Sequence, residues 1–329
     1  MRAVRLATCG GPEVLEVVEM PAPCPARGEV RIRAEAIGVG RPDVLVRKGI
    51  YKWMPPLPAV PGAEMVGVVE SRGEGAESLA IGQRVLMSAR ELSVRGGGYA
   101  EFICVPEGAV FALPPSIAAV DAASLPNLQL ALALMRSNGG LPVSSVFVPG
   151  AAGGVGSALT QIARSRGITV IGTASTPAKQ AYARANGICE LVSRDPEKLP
   201  AEVKELTGGR GVDMAFDHLG GAWIIACLRS LAPLGMAVSY NAVLGPPSSD
   251  VFAEMRSLLG RSLALRTFSM HTFDEVRQQR RALMQEAIDL LASGKVRAPA
   301  AQVLPLAEVR RAHELLDAGA GLGKIVLVP

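Results

Sequence analysis

A glycine-rich stretch in the middle of the chain has the residue types and spacing of a phosphate-binding turn. The short apolar run Val146-Phe147-Val148 predicts a buried strand. Glycines follow at positions 150, 153, 154 and 156, and the segment from Ser157 to Arg166 then runs at helical spacing. A diphosphate needs bare backbone and the unpaired N–H groups at a helix start, so this pattern predicts a dinucleotide site. The alternative is a tight strand-to-helix connection that holds no ligand.

The end of the next predicted strand indicates which dinucleotide would bind. An NAD-specific site places Asp or Glu about 20 residues past the glycines, but this strand ends without an acid. Lys179 and Arg194 follow, and cations attract a 2′-phosphate that a carboxylate would repel. The sequence therefore predicts NADPH, although either cation is alternatively a solvated surface residue. The residues expected to contact it here are Gly150, Ala152, Gly153, Gly154, Val155, Gly156, Thr173, Ala174, Ser175, Lys179 and Arg194.

No pattern of histidines or cysteines predicts a metal site. The three histidines are far apart and form neither an H-x₃-H nor an H-E-x-x-H motif. The five cysteines are scattered and never form a C-x-x-C pair. This spacing favours free thiols in a reducing cytoplasm, and we expect no metal.

Composition narrows the class of protein further. The chain has 329 residues, of which 49% are hydrophobic and 19% charged, which is typical of a globular protein with two domains. Its net charge of +4 includes no basic run, which argues against nucleic-acid binding. The first residues lack the apolar core of a signal peptide, and no apolar run reaches membrane-spanning length. We therefore expect a cytoplasmic protein that binds no membrane.

Two different patterns of secondary structure are predicted along the chain, and their elements would position these residues. From Val146 onward strands and helices alternate, which predicts a parallel sheet with helices on both faces, the doubly wound α/β architecture. The first 120 residues instead read as short strands between Gly and Pro clusters; residues 29–37 alternate apolar with charged side chains. Further on, Thr272 and Glu275 have the spacing of a capping box and predict a helix from Thr272 to Ser293.

Short motifs follow one another in a fixed order along the whole chain. They are Gly10-Gly11-Pro12-Glu13-Val14-Leu15, Ala36-Ile37-Gly38-Val39 with Asp43, Pro61-Gly62-Ala63-Glu64, Gly82-Gln83-Arg84-Val85, Gly97-Gly98-Tyr99-Ala100-Glu101, the turn from Gly150 to Gly156, and Gly323-Lys324-Ile325-Val326-Leu327. Together they resemble the medium-chain dehydrogenase/reductase superfamily, most closely its zinc-free, NADPH-dependent quinone oxidoreductase branch.

The resemblance implies a fold and an assembly. A doubly wound parallel Rossmann sheet would occupy residues 123–269. An N-terminal β-rich, GroES-like catalytic domain would take residues 1–122 together with 270–329. Relatives pair as homodimers through an edge strand of the nucleotide domain, and residues 263–268 are the candidate here.

The resemblance also implies further cofactor contacts, beyond the glycine turn. At the ends of the later strands these are Leu219, Gly220, Ser239, Tyr240, Asn241, Phe268 and Ser269, and near the end of the chain Lys324. The alternative for Lys324 is a surface lysine that precedes a strand.

Several positions depart from the related branches. Zinc alcohol dehydrogenases have a ligating Cys where this chain has Gly40 and a ligating His where it has Ala63, so too few zinc ligands survive. Quinone reductases commonly have Asn-Phe or Asn-Tyr where this chain has Gly40-Arg41. They often have Thr where it has Leu130, and some have Tyr where it has Ser193. These departures concern contacts at both ends of the cofactor.

Hydride transfer would be the chemistry of the nicotinamide, so the acceptor must be an electron-poor conjugated group. Quinones and α,β-unsaturated ketones qualify without a metal. In the Gly49–Pro61 loop, Tyr51 is the candidate hydrogen-bond donor to the acceptor oxygen, and Asp43 is the second candidate catalytic residue. Alternatively, Tyr51 is a packing residue and Asp43 orders the loop or pairs with Arg47. Two other functions stay open: an enoyl or 2-alkenal reductase, and a non-enzymatic NADPH-binding relative.

Overall fold

The computed structural model describes residues 1–329 and divides into two compact units. The N-terminal unit comprises Met1–Pro126, Ile288–Gly294 and Ala298–Pro329, and the central unit comprises Asn127–Ala287 with Lys295–Arg297. The expected boundaries differ from this division mainly over residues 270–287, which lie in the central unit. The reason is local: the side chain of Gln129 donates to the Arg280 carbonyl at 2.8 Å, and Glu286 pairs with Arg136.

The N-terminal unit is built from antiparallel strands. Its nine strands are β1 (Arg2–Leu6), β2 (Leu15–Glu19), β3 (Glu29–Val39), β4 (Glu64–Arg72), β5 (Arg84–Ser88), β6 (Phe102–Pro106), β7 (Val110–Ala112), β14 (Ala301–Pro305) and β15 (Lys324–Val328). Strands β1 and β2 form a hairpin pair, and the other seven form one sheet in the order β14-β15-β3-β4-β5-β7, with β6 on β3. Only the β14–β15 pair is parallel.

The long strand β3 shows why this unit folds as a sheet over a core. Its side chains at positions 30, 32, 34 and 36 are buried, while those between them are less buried, as the alternation predicts. Leu306, Val309 and Leu315 of the C-terminal segment pack into the same core. Apolar burial of this kind is the main favourable contribution to folding.

The central unit is the predicted doubly wound fold. Its strands are β8 (Ser145–Val148), β9 (Thr169–Gly172), β10 (Glu190–Leu191), β11 (Val212–Asp217), β12 (Leu231–Ser239) and β13 (Ala264–Thr267). All neighbours are parallel and the order is β10-β9-β8-β11-β12-β13. The strand order therefore reverses at β8, and ligands of such sheets bind at the carboxyl ends beside that point.

Ten α-helices accompany the strands. They are α1 (Arg41–Arg47), α2 (Ala119–Ala122), α3 (Leu125–Met135), α4 (Gly154–Ser165), α5 (Pro177–Asn186), α6 (Leu199–Leu206), α7 (Ala222–Arg229), α8 (Val251–Ser257), α9 (Arg277–Ala292) and α10 (Val309–Asp317). None of the helices is both long enough and apolar enough to pass through a lipid bilayer.

The predicted capping box at Thr272 is wrong. Met270–Phe273 forms a short 3₁₀ helix instead, and Ser269 caps it by accepting the His271 amide at 3.3 Å. Asp274 binds the His271 ring at 3.0 Å and the Arg280 guanidinium at 3.1 Å. These side-chain bonds compete with a helix start at Thr272, and α9 begins only at Arg277.

Candidate functional site

The glycine turn after β8 has the geometry that the sequence predicts for a phosphate cradle. Gly150 has a φ of +61°, a conformation that side chains rarely adopt, and its N–H donates to the Thr173 hydroxyl at 3.1 Å. Ala151 N–H donates to the Thr173 carbonyl at 2.9 Å, so the turn is fastened to the end of β9. Thr173 thus has a definite structural task next to the proposed ligand.

Helix α4 begins at this turn without a capping side chain. Its N-cap is Gly153, whose backbone is extended, and no side chain bonds to the first N–H groups. The turn is also too tight for a side chain at Gly156, because a Cβ there would lie 2.6 Å from the Gly150 carbonyl oxygen. Bare N–H groups at the positive end of a twelve-residue helix suit a diphosphate.

The end of β9 places hydroxyls and cations beside one another. Ala174 is buried and Ser175 is exposed, and Thr176 caps α5 by accepting the Lys179 amide at 3.3 Å. Partial burial lowers the pKa of the Lys179 ammonium, and the nearby Arg194 guanidinium lowers it further. These two cations are therefore close enough to repel each other, which an anion between them would relieve.

Asp217 organises the turn after β11, a role that the sequence patterns above did not predict. It is fully buried, and one carboxylate oxygen accepts the Leu219 and Gly220 amides at 2.9 and 3.0 Å. Burial raises the pKa of Asp217, while those amides act to lower it. An acid ending a strand two residues before a turn is the signal of an Asx turn, and it could have been recognised.

The other predicted contacts of the central unit lie at the same sheet edge. Ser239 ends β12 and donates to Asp217 at 3.3 Å, and the Phe268 amide donates to the Ser239 carbonyl at 2.8 Å. Tyr240 lies with its ring 5.9 Å from the His218 ring, which in turn packs against Gly150. Asn241 uses its side chain to cap the Ala242 amide at 2.9 Å. Chain topology thus brings the ends of β8, β9, β11, β12 and β13 to one edge.

In the N-terminal unit Asp43 is a buried acceptor. It is 2% exposed, and its two oxygens accept the Gly40 amide at 2.8 Å and the Ala63 amide at 2.9 Å. Burial and the neighbouring Glu64 raise its pKa to about 7. It does not pair with Arg47, whose guanidinium binds Asp317 at 2.6 Å and the Gly10 carbonyl at 3.1 Å.

Lys324 lies in the same cluster and is also buried. Its ammonium forms an ion pair with Glu64, and both side chains are almost entirely shielded from solvent. Next to them Tyr99 and His313 are buried and joined through the tyrosine hydroxyl and Nε2 at 3.1 Å. No local sequence signal connects residues 99 and 313, because only the packing of α10 brings them together.

Tyr51 packs partly against the core of the N-terminal unit. Its ring centroid lies 5.7 Å from that of Trp53, and the Trp53 ring is flanked by Lys52 at 5.3 Å and Arg95 at 5.7 Å. This segment therefore presents aromatic surface beside positive charge.

The raised pKa of Asp43 predicts how stability depends on pH. The folded chain holds a proton that the unfolded chain releases above its ordinary pKa of 3.8, so this contribution to stability is lost as pH rises toward about 7. The slope is at most about 1.4 kcal/mol per pH unit. Burial lowers the pKa of His313 from 6.5 to about 4. Between pH 4 and 6.5 this histidine therefore makes the fold more stable as the pH rises, opposite to the effect of Asp43. The free energy of unfolding in urea, measured from acid to neutral pH, should show the Asp43 slope as the difference between the wild type and Asp43→Asn. Parallel curves for the two proteins would contradict this prediction.

The side chains around Gly40 and Ala63 do not suit a zinc ion. Gly40 and Ala63 offer no side-chain ligand, and the structure contains no group of three or more His, Cys, Asp or Glu side chains placed to hold a metal ion. The space at Gly40 is bounded by Asp43 and Glu64, whose oxygens would lie 3.7 and 3.9 Å from a Cβ built there.

Comparisons with known proteins agree with this architecture. A family described as alcohol dehydrogenase GroES-like domain matches residues 26–115, and one described as zinc-binding dehydrogenase matches residues 154–293. The human quinone oxidoreductase is 31% identical over the whole chain and 98% of its own length.

Two solved structures are similar over their full lengths. A mycobacterial protein complexed with NADPH has a TM-score of 0.88 and 32% identity, covering 100% of both chains. A protein described as an NAD-dependent alcohol dehydrogenase gives the same TM-score, identity and coverage. The expected fold class, a doubly wound sheet with an N-terminal GroES-like domain, is confirmed, and the chain belongs to the medium-chain dehydrogenase/reductase superfamily, in its quinone oxidoreductase branch.

Proposed function

We propose that this protein is an NADPH-dependent oxidoreductase that transfers hydride, without a metal, to a quinone or another electron-poor conjugated carbonyl. The observation that carries the proposal is the bare N-terminus of α4 at the glycine turn. The relatives named quinone oxidoreductase and the mycobacterial NADPH complex support the same assignment. When bound, the nicotinamide supplies the hydride, and the protein contributes binding, orientation and electrostatics.

The choice of NADPH over NADH rests on Lys179 and Arg194. We expect Lys179→Ala to weaken NADPH binding several-fold and to leave NADH binding unchanged, because a charge-assisted bond to the 2′-phosphate would be lost. Dissociation constants for both nucleotides can be measured by fluorescence titration.

Lys204 offers a matched control, since it is also a partly buried lysine whose pKa is lowered beside an arginine, Arg261. Lys204→Ala should change neither constant. Equal losses of NADPH and NADH affinity in Lys179→Ala would show that this lysine does not recognise the 2′-phosphate.

The acceptor side is proposed to use residues of the N-terminal unit. Gly40 and Ala63 supply no zinc ligand, so a hydrogen-bond donor must polarise the acceptor oxygen. We propose Tyr51 as that donor. The hydroquinone anion or enolate that hydride transfer produces can take its proton from water. We propose that Asp43 acts on the reaction by holding the Gly40 and Ala63 amides.

A scan of acceptors with both nucleotides tests the function. Purified protein is mixed with NADPH or NADH and with quinones, enones, 2-alkenals or enoyl thioesters, and loss of the reduced nucleotide is followed by absorbance. Quinone reduction with NADPH is the expected result. Turnover of 2-alkenals or enoyl thioesters alone would favour the double-bond reductase, and NADPH binding without any turnover would leave a non-enzymatic binding protein.

We further propose a homodimer and a reducing compartment such as the cytoplasm. Strand β13 lies at the edge of the central sheet, so its outer hydrogen-bonding groups can pair with those of a second copy. All five cysteines are free thiols, as a reducing compartment would maintain them. Sedimentation equilibrium of the wild type measures the oligomeric state directly.

A further inference from the structure

A network of buried polar side chains joins the helix of the glycine turn to the helix that carries Lys179. Ser157 and Gln161 lie on α4, Asn186 is the last residue of α5, and all three are buried. The Asn186 side-chain nitrogen donates to the Ser157 carbonyl at 3.0 Å. The Gln161 side-chain nitrogen donates to the Asn186 side-chain oxygen at 3.0 Å and to the Asn186 carbonyl at 2.8 Å. The end of α5 is therefore fastened to α4 by three hydrogen bonds.

The partners of these side chains fix the orientation of both amides. The Asn186 nitrogen faces a backbone carbonyl, which can only accept. Oε1 of Gln161 accepts the Arg297 amide at 3.1 Å, and that backbone group can only donate. Turning either amide over would bring like groups together in a buried place, where water cannot replace the lost bond. A buried network that is paired in this way holds the elements that it joins in one arrangement.

A second attachment of α5 lies closer to Lys179. The Tyr182 hydroxyl lies 3.2 Å from the Ser157 hydroxyl, which lies 3.4 Å from the Ala151 carbonyl of the glycine turn. Because a carbonyl can only accept, both contacts form together when Tyr182 donates to Ser157 and Ser157 donates to Ala151. Tyr182 and Asn186 are about one helical turn apart, so together they fix the direction of α5 as well as its position.

The spacing of these two helices matters because NADPH carries its diphosphate and its 2′-phosphate on the same ribose. The proposed diphosphate site is the start of α4, and Lys179, the proposed partner of the 2′-phosphate, lies in the first turn of α5. Both can be engaged at once only if α4 and α5 keep a definite spacing. A spacing that is fixed before binding also avoids the entropy cost of ordering a loose helix around the ligand.

We propose that Asn186 and Tyr182 are positioning residues for the cofactor. They hold α5 against α4 so that Lys179 meets the 2′-phosphate while the glycine turn holds the diphosphate, and they thereby set the preference for NADPH over NADH. This role rests on the proposed function, since it needs NADPH as the cofactor and Lys179 as its partner. Because the effect passes through Lys179, loss of either positioning residue reduces the preference by no more than loss of Lys179 itself.

Dissociation constants of NADPH and NADH, measured by fluorescence titration, test this role. The ratio of the two constants is the readout, since damage to the glycine turn weakens both nucleotides and leaves the ratio unchanged. In Asn186→Ala we expect the preference for NADPH to fall at least about threefold, because the charge-assisted bond from Lys179 is weakened. Tyr182→Phe, which removes only a hydroxyl group, should lower the preference by a smaller factor.

A double-mutant cycle distinguishes a role through Lys179 from general damage to the unit. Lys179→Ala sets the lowest preference, and Asn186→Ala added to it should lower the ratio no further. Tyr182→Phe takes the place of Asn186→Ala in the cycle if the latter does not fold, as judged by circular dichroism. Effects that multiply in the double variant would overturn the proposal. So would an unchanged ratio in the folded single variants.

Asn138→Ala is the matched control. Asn138 is 8% exposed, against 9% for Asn186, and its side chain also makes two hydrogen bonds, to the Leu141 carbonyl at 2.6 Å and from the Gly140 amide at 3.1 Å. It precedes β8 and therefore lies beyond the amino end of that strand, away from the glycine turn. The substitution should lower stability and leave the ratio of the two dissociation constants unchanged.

Binding and turnover measured on the same protein separate this role from the proposed function. If the wild type prefers NADPH and the variants keep that preference, the positioning role is wrong and the proposed cofactor stands. Equal affinity of the wild type for NADPH and NADH would contradict the proposed cofactor, and the positioning role with it. Preference for NADPH without quinone turnover would contradict only the proposed reaction, because the dissociation constants do not depend on turnover.

Discussion

Gly156→Ala should strongly weaken the binding of NADPH, the proposed cofactor. The added Cβ would lie 2.6 Å from the Gly150 carbonyl oxygen, a distance that real Cβ atoms essentially never show, and 3.0 Å from Cα of Ala151, which is also tight. The turn must therefore move, and with it the bare N–H groups of α4 that the diphosphate would meet. We expect the dissociation constant to rise at least tenfold, or about 1.4 kcal/mol, as measured by titration calorimetry.

The control for this substitution is Gly260→Ala in the same unit. A Cβ at Gly260 meets no atom within 4 Å, and its φ is not in the left-handed region, so binding should not change. Wild-type affinity in Gly156→Ala would show that the turn does not hold the cofactor. Circular dichroism of both variants separates loss of binding from loss of the fold.

Lys324→Met should be strongly destabilising even without a cofactor. The substitution removes the partner of Glu64 and leaves that carboxylate buried next to Asp43. Breaking one side of a buried ion pair typically costs about 3–5 kcal/mol, because the remaining charge is uncompensated. The free energy of unfolding in urea measures this loss.

Two further variants make the result specific. Lys324→Met combined with Glu64→Gln should recover most of the lost stability, because no uncompensated charge remains. Lys48→Met breaks a pair with Asp317 whose side chains are 39% and 25% exposed, and it should cost less than about 1 kcal/mol. If Lys324→Met and Lys48→Met were equally stable, the buried pair would not contribute as the geometry indicates. NADPH titration of the stabilised double variant then tests whether Lys324 also faces the cofactor.

Hydrogen bonds to the buried Asp43 carboxylate order the turn at Gly40 and Ala63. Where zinc relatives are expected to have two ligands, this chain has Gly40 and Ala63, and the backbone amides of both residues are held by Asp43. The local order of this turn therefore comes from hydrogen bonds to a carboxylate.

The sequence alone determined the elements and the edge at which a ligand would bind. Strand alternation in β3, the strand–glycine–helix pattern at β8, and the alternation of strands with helices after it are local patterns. Because parallel strands bring their carboxyl ends to one edge, the order of the strands along the chain was enough to place residues such as Thr173 and Ser239 together. The motifs spread along the chain likewise sufficed to recognise the family.

Only the tertiary structure decided how the polar side chains pair. The pairs Lys324–Glu64, Arg47–Asp317 and Tyr99–His313 join residues that are 214 to 270 positions apart, and no local periodicity encodes such contacts. The alternative interpretation of Lys324 as a surface lysine is wrong, because folding buries it against the Glu64 carboxylate. The failed capping box at Thr272 has a local cause instead, because Asp274 binds His271 and Arg280, which lie three and six positions away. Burial decides these pairings, since a charged or polar group removed from water must take whichever partner the packed core brings to it.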